Sequence, residues 1–289
     1  PLTYHIGPGP STVELELKFD WDLTPIYNVL ATLEGRERPE QLVIRGNHHD
    51  AWVNGARDPI SGLVALMAEA RAVSALARTG WRPKRTLVFA AWDAEEPGLL
   101  GSTEWVEQHA DRLRSQAVAY INTDGNSRGF LGMSGSHTLE RFINEVAHDV
   151  QDPQTGVSVS ARLAARRRVN TASPQFQANG DHPIGALGSG SDYTPFLQHL
   201  GVASLNLSYS GESGGGSYHS IYDSFDHYTR FGDPDFAYAV ALAQTAGRAV
   251  LRLAEADVLP FEFENFSETV KRYVHEIVSL TDEMRAQTQ

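Results

Sequence analysis

The stretch that decides the fold is Leu-Val-Ile-Arg-Gly-Asn-His-His-Asp at residues 42–50, where an apolar run at 42–46 ends in polar side chains. Two later segments repeat this arrangement, Thr-Leu-Val-Phe-Ala-Ala-Trp at residues 86–92 and Ala-Val-Ala-Tyr-Ile-Asn at residues 117–122. Short apolar runs with polar or glycine boundaries are typical of buried strands. A further strand is predicted at Val202–Ser208.

Helices are predicted between and after these strands. Apolar residues recur at helical spacing from Ser61 to Arg78, and Ser102 has the character of an N-cap, with Glu104 in the first turn of a second helix. Further helices are predicted at residues 137–150, 235–254 and 267–285. Strands that alternate with helices form βαβ units, so we expect a three-layer α/β/α fold around a mostly parallel mixed sheet.

The segment from 151 to 191 breaks this alternation. It is polar, with scattered glycine and proline residues, and is predicted to be a long loop or an insertion over the sheet. Its three consecutive arginines, Arg166 to Arg168, are predicted to form a solvated face. In a parallel sheet the ligand crevice lies at the carboxyl ends of the strands, which directs attention to the residues that follow each strand.

Composition excludes several classes of function. A net charge of -12 opposes binding to nucleic acid or to an anionic membrane, because phosphate would be repelled. The chain has no cysteine, so any metal must be held by imidazole and carboxylate groups. No uninterrupted apolar run approaches the roughly 20 residues that span a bilayer. Because the chain begins at Pro1 rather than Met, we expect a fragment of a longer polypeptide.

The polar cluster after the first strand contains a candidate metal ligand. An extended His-x-Asp places His48 and Asp50 on the same face, so the Asp50 carboxylate can accept the second ring N–H of His48 and fix its tautomer for metal binding. His49 would then point the other way. Asp58 follows eight residues beyond Asp50. A lone histidine at a strand end is more often structural, so this cluster alone does not establish a site.

Two adjacent carboxylates, Glu95 and Glu96, follow the strand at 86–92. Adjacent acids repel each other unless a cation lies between them. A metal ion meets that need, because one carboxylate can bind it while its neighbour takes a proton from metal-bound water. The alternative is an acidic turn that leads into a helix N-terminus, where negative charge is favoured.

Asp124 and His219 complete the candidate set. Asp124 lies just beyond the strand at 117–122, and His219 follows the glycine-rich loop at 213–216. Four successive strand ends therefore present an acid or an imidazole to one crevice. Imidazole and carboxylate ligands without cysteine are the set expected of two divalent metal ions about 4 Å apart that share a carboxylate.

The segments that carry these residues resemble the glutamate carboxypeptidase II (prostate-specific membrane antigen) and transferrin receptor family of co-catalytic zinc peptidases. The resemblance runs in order along nearly the whole chain. It includes Trp-Asp-Ala-Glu-Glu-Pro-Gly-Leu-Leu-Gly-Ser-Thr-Glu-Trp at 92–105 and further segments at 46–62, 119–124, 188–192 and 218–222. It implies two zinc ions, one held by His48 and Asp124, the other by Glu96 and His219, with Asp58 as the bridge.

The same resemblance implies a function for the remaining site residues. Glu95 is the general base that acts on a metal-bridging hydroxide, and Tyr218 binds the oxygen of the tetrahedral intermediate. Asp50 completes the predicted catalytic set as the partner of His48. The implied activity is hydrolysis of small peptides by a carboxypeptidase of the zinc-exopeptidase type, with no role for nucleic acid.

The resemblance also predicts the domain organisation. Residues 1–258 would form the catalytic domain without the family's apical domain, and residues 259–289 would begin a truncated helical dimerisation domain. A homodimer and an extracytoplasmic location follow as expectations for the full-length protein. Glu104 and Glu107 match acids that help to bind a structural calcium ion in the family.

Three alternatives stay open. Asn206 and Ser208 stand where glutamate carboxypeptidase II has arginines, which argues against a preference for C-terminal glutamate, and aminopeptidase action on the same core is the nearest rival. A second alternative is a binding protein without catalysis, like the transferrin receptor. The third is a serine esterase, because Gly211–Gly215 matches G-x-S-x-G, although no helix is predicted after Ser213.

Overall fold

The structure, a computed structural model, describes residues 7, 9, 12, 14–170, 180–213 and 215–288. Its strands are β1 (Val29–Leu33), β2 (Arg38–His48), β3 (Arg85–Trp92), β4 (Ala117–Asn122), β5 (Gly129–Gly135) and β6 (Ser204–Gly211). Its helices are α1 (Ser61–Arg78), α2 (Leu100–Gln108), α3 (Ala110–Gln116), α4 (Glu140–Asp149), α5 (Val159–Asn170), α6 (Phe225–His227), α7 (Ala237–Glu255) and α8 (Phe263–Thr288).

The six strands form one sheet in the order β1-β3-β2-β4-β6-β5. The four central strands are parallel to one another, and β1 and β5 run antiparallel to them at the edges. From β2 the chain passes to β3 on one side and then to β4 on the other, so the strand order reverses beside β2. Such a switch point opens a crevice at the carboxyl ends of the strands, and His48 is the last residue of β2.

Alternate side chains of the central strands pack on opposite faces of the sheet. Val43 and Leu87 belong to the core that includes α1, α4 and α7. Ile44 and Val88 belong to the core on the other face, with α2 and α3. The predicted three-layer α/β/α fold with a mostly parallel mixed sheet is therefore confirmed.

Several predicted boundaries were wrong. The two edge strands were missed, because three glycines in β5 disfavour a strand and β1 is an exposed edge. Ser102 is not an N-cap, since α2 begins at Leu100 and the Ser102 hydroxyl donates to the Leu99 carbonyl. The last helix begins at Phe263, four residues earlier than expected.

The segment from 151 to 191 was predicted to be a long loop or an insertion over the sheet, and the first alternative is wrong, because the segment contains α5. Residues 171–179 lie outside the described part of the chain. Of the three consecutive arginines, Arg168 is exposed as predicted. The other two have partners: the Arg166 guanidinium lies 4.5 Å from the Phe130 ring centroid, and Arg167 donates to the Pro183 carbonyl at 3.0 Å. An aromatic contact thus holds α5 against β5, and a backbone contact holds it against the segment that contains Pro183.

The helix that leads away from the crevice is unusually apolar. Within the described residues, Ala56–Arg78 is the helical stretch that by length and composition alone could cross a membrane. In the fold, Ala65, Leu66 and Val73 of α1 are buried in the core beside the sheet. The apolar face of α1 is therefore used for packing.

A buried ion pair joins β2 to α1. The Arg45 guanidinium donates to Glu69 Oε2 at 2.9 Å and to Oε1 at 3.0 Å, and the two side chains are 1% and 2% exposed. A third donation reaches the Gly46 carbonyl at 2.7 Å. This bidentate pair fixes α1 against the strand that ends at His48.

Replacing Glu69 with Ala should destabilise the fold by about 3–5 kcal/mol, because the Arg45 guanidinium would stay buried without its carboxylate. Urea denaturation measures the change. Glu145→Ala is the matched control, since it breaks the exposed Arg141–Glu145 pair of α4 and should cost under about 1 kcal/mol. Equal losses in the two variants would contradict the role of burial.

Candidate metal centre

The carboxyl ends of β2, β3, β4 and β6 meet at one cavity of about 620 Å³. Its wall contains every predicted metal ligand, the predicted base and the predicted oxyanion ligand: His48, Asp58, Glu95, Glu96, Asp124, Tyr218 and His219. These residues are up to 171 positions apart in the chain, from 48 to 219. The parallel sheet brings them to a single edge.

Asp58 lies between the two histidines. Its Oδ1 is 3.4 Å from His48 Nε2, and its Oδ2 is 3.5 Å from His219 Nε2. Beside His48, Asp124 Oδ1 lies 3.7 Å from the same Nε2. Beside His219, Glu96 Oε2 lies 3.1 Å from the ring nitrogen. One carboxylate therefore faces two separate pairs of imidazole and carboxylate.

The cluster fits divalent cations. Asp58 Oδ1 and Glu96 Oε1 are buried and accept no hydrogen bond from any described residue, which is costly unless a cation compensates. Ligand atoms of Asp58, Glu96 and His219 lie within 4.8 Å of one another, as do those of His48, Glu95 and Glu96. Imidazole and carboxylate donors are ligands that zinc accepts, as do several other divalent metals.

Asp50 holds the two adjacent glutamates in position. Its Oδ1 accepts the Glu95 N–H at 3.0 Å, and its Oδ2 accepts the Glu96 N–H at 3.1 Å. His48 Nδ1 lies 3.1 Å from the Asp50 carbonyl oxygen and 3.4 Å from Oδ1. The structure thus puts Asp50 beside His48, as the spacing predicted, and adds a contact to the Glu95–Glu96 backbone that the spacing did not indicate.

Two residues that were not among the predicted site residues hold the Asp124 carboxylate. Ser191 Oγ donates to Asp124 Oδ1 at 2.7 Å, and Asn122 Nδ2 donates to Oδ2 at 3.0 Å. Asn122 Nδ2 also lies 3.2 Å from Asn206 Oδ1. Asn206 stands where the resemblance to glutamate carboxypeptidase II places an arginine, and here it contacts a residue that holds Asp124. A signal existed for Ser191, since it lies in the Gly-Ser-Gly-Ser-Asp segment at 188–192.

Glu95 and Tyr218 line the same cavity as the ligand cluster. Glu95 Oε2 is 4.0 Å from His48 Nε2, and its side chain is 11% exposed. The Tyr218 ring stacks on the His219 ring with centroids 3.6 Å apart and is 60% exposed. Both polar groups can therefore reach a substrate that enters the cavity.

Burial and crowding shift the pKa values in the cluster. Burial raises the pKa of Glu95 and outweighs the opposing effect of His48, and with Asp192, Asp124 and Glu96 nearby it reaches about 8. Burial lowers the pKa of His48, but the surrounding carboxylates raise it to about 11. Both shifts are upward. Negative charge at the strand ends contributes to each, in addition to burial for Glu95 and against burial for His48, and bound cations would neutralise that contribution.

The remaining sequence motifs lie apart from this cluster. Glu104 and Glu107 are both exposed on α2, and the calcium site that they suggested stays a prediction. Ser213 Oγ donates to Ser127 Oγ at 3.0 Å, so the serine of the G-x-S-x-G match pairs with another hydroxyl rather than with a histidine. Gly214 of that match lies outside the described residues.

The sequence pattern that defines peptidase family M28 matches residues 28–242, a range that contains the whole ligand cluster. The chain belongs to peptidase family M28. It is 37% identical over 283 residues to a "Probable glutamate carboxypeptidase" of Arabidopsis thaliana, a match that covers 95% of this chain and 39% of that protein. It is 35% identical to "Aminopeptidase NAALADL1" of Mus musculus, over 94% of this chain and 38% of that protein. The M28 chain thus spans about two fifths of the length of these relatives.

Solved structures support the fold of the M28 domain. The aminopeptidase from Aneurinibacillus sp. strain AM-1 superposes with a TM-score of 0.58 at 21% identity, over 81% of this chain and 50% of that one. A zinc aminopeptidase from Bacillus subtilis has a TM-score of 0.55 at 17% identity, over 81% and 52%. At this level of identity the likeness concerns the α/β fold alone.

Replacing His48 with Ala should weaken zinc binding by the M28 domain at least about tenfold, because a ligand on the Asp124 side is lost. His49→Ala is the matched control, since His49 Nε2 instead lies 3.0 Å from the Tyr27 carbonyl oxygen. Zinc bound per chain after equilibrium dialysis measures both. The same loss in the two variants would contradict the assignment of His48.

Proposed function

We propose that this M28 domain is a two-zinc metallo-exopeptidase that hydrolyses small peptides as a carboxypeptidase. The observation that carries the proposal is the position of Asp58, whose two oxygens face His48 on one side and His219 on the other at 3.4 and 3.5 Å. A carboxylate so placed can be shared by two cations. Membership of a peptidase family supports the reaction class.

The proposed ligand sets are His48 with Asp124, and His219 with Glu96, with Asp58 common to both. When bound, the two zinc ions would lower the pKa of a water molecule and polarise the scissile carbonyl. The protein's own contribution is to hold the ligands before binding. Asp50, Ser191 and Asn122 hold Glu96 and Asp124 through the hydrogen bonds described above, which is how partners of metal ligands tune a site.

Glu95 is the proposed general base and acid. Its carboxylate lies on the cavity wall beside the ligands and, unlike the carboxylate of Asp50, accepts no described backbone N–H, so it is free to take a proton from the attacking water and deliver it to the leaving amine. The Tyr218 hydroxyl is the proposed donor to the developing oxyanion. Its ring is kept near the cluster by stacking on His219.

The carboxypeptidase assignment has two supports. The Arabidopsis thaliana relative at 37% identity carries the name of a glutamate carboxypeptidase. Arg57 lines the same cavity, and its Nε is buried without a hydrogen-bond acceptor among the described residues. A guanidinium on the wall suits a substrate with a free carboxylate.

Aminopeptidase action is the second candidate, favoured by the Mus musculus relative named as an aminopeptidase. A receptor without catalysis is less consistent with the cavity, because that cavity keeps Glu95 along with the full ligand set. We further propose that residues 259–289 belong to a helical dimerisation unit. The exposed apolar side chains of α8, among them Val270, Val274 and Ile277, support this.

Replacing Glu95 with Gln should lower kcat by about 10²–10⁴-fold while zinc binding is kept, because proton transfer is lost but the proposed ligands remain. Glu145→Gln, an exposed change on α4, is the control and should leave kcat unchanged. Steady-state kinetics and zinc analysis on the same preparations measure the two effects. A Glu95→Gln enzyme with wild-type turnover would exclude this residue as the base.

A panel of dipeptides tests the direction of cleavage. Each dipeptide is offered with a blocked N-terminus and free carboxylate, or with a free amine and an amidated C-terminus. We expect hydrolysis of the first form, abolished by a chelator and restored by added zinc, because the Arg57 guanidinium on the cavity wall attracts a free carboxylate and repels a protonated amine. Hydrolysis of the second form alone would favour the aminopeptidase.

A further inference from the structure

Asp223 joins the two segments of chain that carry Asp58 and His219. Its Oδ1 accepts the Arg57 N–H at 2.7 Å, and its Oδ2 accepts the Asp58 N–H at 3.0 Å. Its carbonyl oxygen accepts the Ala56 N–H at 3.1 Å. The N–H groups of residues 56–58 therefore all donate to Asp223, which lies four positions after His219.

The other side of Asp223 is tied to the loop of His219. The Asp223 N–H donates to the Ser220 carbonyl at 3.0 Å, which closes a turn directly after His219. The residue is 4% exposed. Hydrogen bonds from backbone N–H to a buried carboxylate are charge-assisted and therefore strong, so this contact is a firm link between the two loops.

The backbone before α1 needs this link. Gly55 has φ 66°, and Asp58 has φ -119° and ψ 106°, so this turn departs from helical geometry at both positions. An N–H in such a turn has no regular helical acceptor and must be satisfied by another group. The Asp223 carboxylate supplies the acceptors and thereby fixes the position of the Asp58 backbone, from which the Asp58 side chain extends.

We infer that Asp223 is a positioning residue for the metal centre, which holds Asp58 in register with His219 so that the Asp58 carboxylate faces both ligand pairs. The inference rests on the proposed metal binding. Asp50 offers a parallel in the same cavity, since its two oxygens accept the N–H groups of Glu95 and Glu96. Two loops that carry proposed ligands are thus each held by an aspartate carboxylate that accepts two consecutive backbone N–H groups.

Asp223→Asn tests the inference. The amide replaces one acceptor oxygen with an NH₂ group that faces a backbone N–H, so the Asp58 loop should lose its fixed position. We expect the zinc dissociation constant, measured by competition with a chromophoric chelator, to rise about 10–100-fold. Asp223→Glu keeps the charge on a longer side chain and should shift the constant in the same direction, which keeps the test decisive if the Asn variant does not fold.

Asp233→Asn is the matched control. Asp233 is 2% exposed and likewise accepts two consecutive backbone N–H groups, from Tyr238 at 3.2 Å and Ala239 at 2.8 Å, but it does so at the start of α7. Its loss should lower the melting temperature as much as Asp223→Asn does, without changing zinc affinity. A structural role alone would leave zinc affinity unchanged in both variants.

Wild-type zinc affinity in both Asp223 variants would overturn the inference, as would an equal loss of affinity in Asp233→Asn. Neither outcome bears on the proposed activity. Suppose that the wild-type domain binds zinc but hydrolyses no dipeptide, and that the Asp223 variants bind zinc more weakly. That result would refute the proposed function while the positioning role stands. Weakened binding in the Asp223 variants alone is the expected result.

Discussion

An excess of negative charge at the carboxyl edge of the sheet is the constraint on which the rest of this site depends. Oxygens of Asp58, Glu96 and Asp192 are buried without a hydrogen-bond donor among the described residues. Burial on this scale is unfavourable for a stable fold unless cations are bound. The acids stay close together because hydrogen bonds from neighbouring residues fix their positions. The cluster is therefore preorganised to bind divalent metal ions.

The fold fixes these positions mainly through backbone groups. His48, Glu96 and Asp124 lie at or just beyond the ends of parallel strands, where a rigid sheet meets an irregular loop. Asp58 and His219 lie farther along the loops that follow β2 and β6. The loops are then held by side chains that span long distances in sequence: Asp50 to Glu95 and Glu96, and Ser191 to Asp124. The buried pair of Arg45 and Glu69 holds β2 and α1 together behind the centre. These hydrogen bonds and this ion pair connect the ligand loops to the packed core, and they thus fix the geometry of the metal centre.

Much of the candidate site was predictable because its ligands directly follow apolar runs. His48, Glu96 and Asp124 each come within four residues of the end of a predicted strand, so strand prediction alone brought them to one edge. The supports were not predictable in the same way, since a contact such as Ser191 to Asp124 depends on loop paths that no local pattern encodes. Likewise β5 and α5 were missed because glycine content and polarity outweighed their tertiary packing. Local rules identified the chemistry, and long-range contacts determined its geometry.

The central claim is that Asp58 is shared by two zinc ions. Anomalous X-ray diffraction at the zinc edge, from crystals grown with zinc, tests it most directly. The account predicts two anomalous peaks, one on each side of the Asp58 carboxylate, the first beside His48 and Asp124 and the second beside His219 and Glu96. A single peak, or peaks away from Asp58, would contradict it.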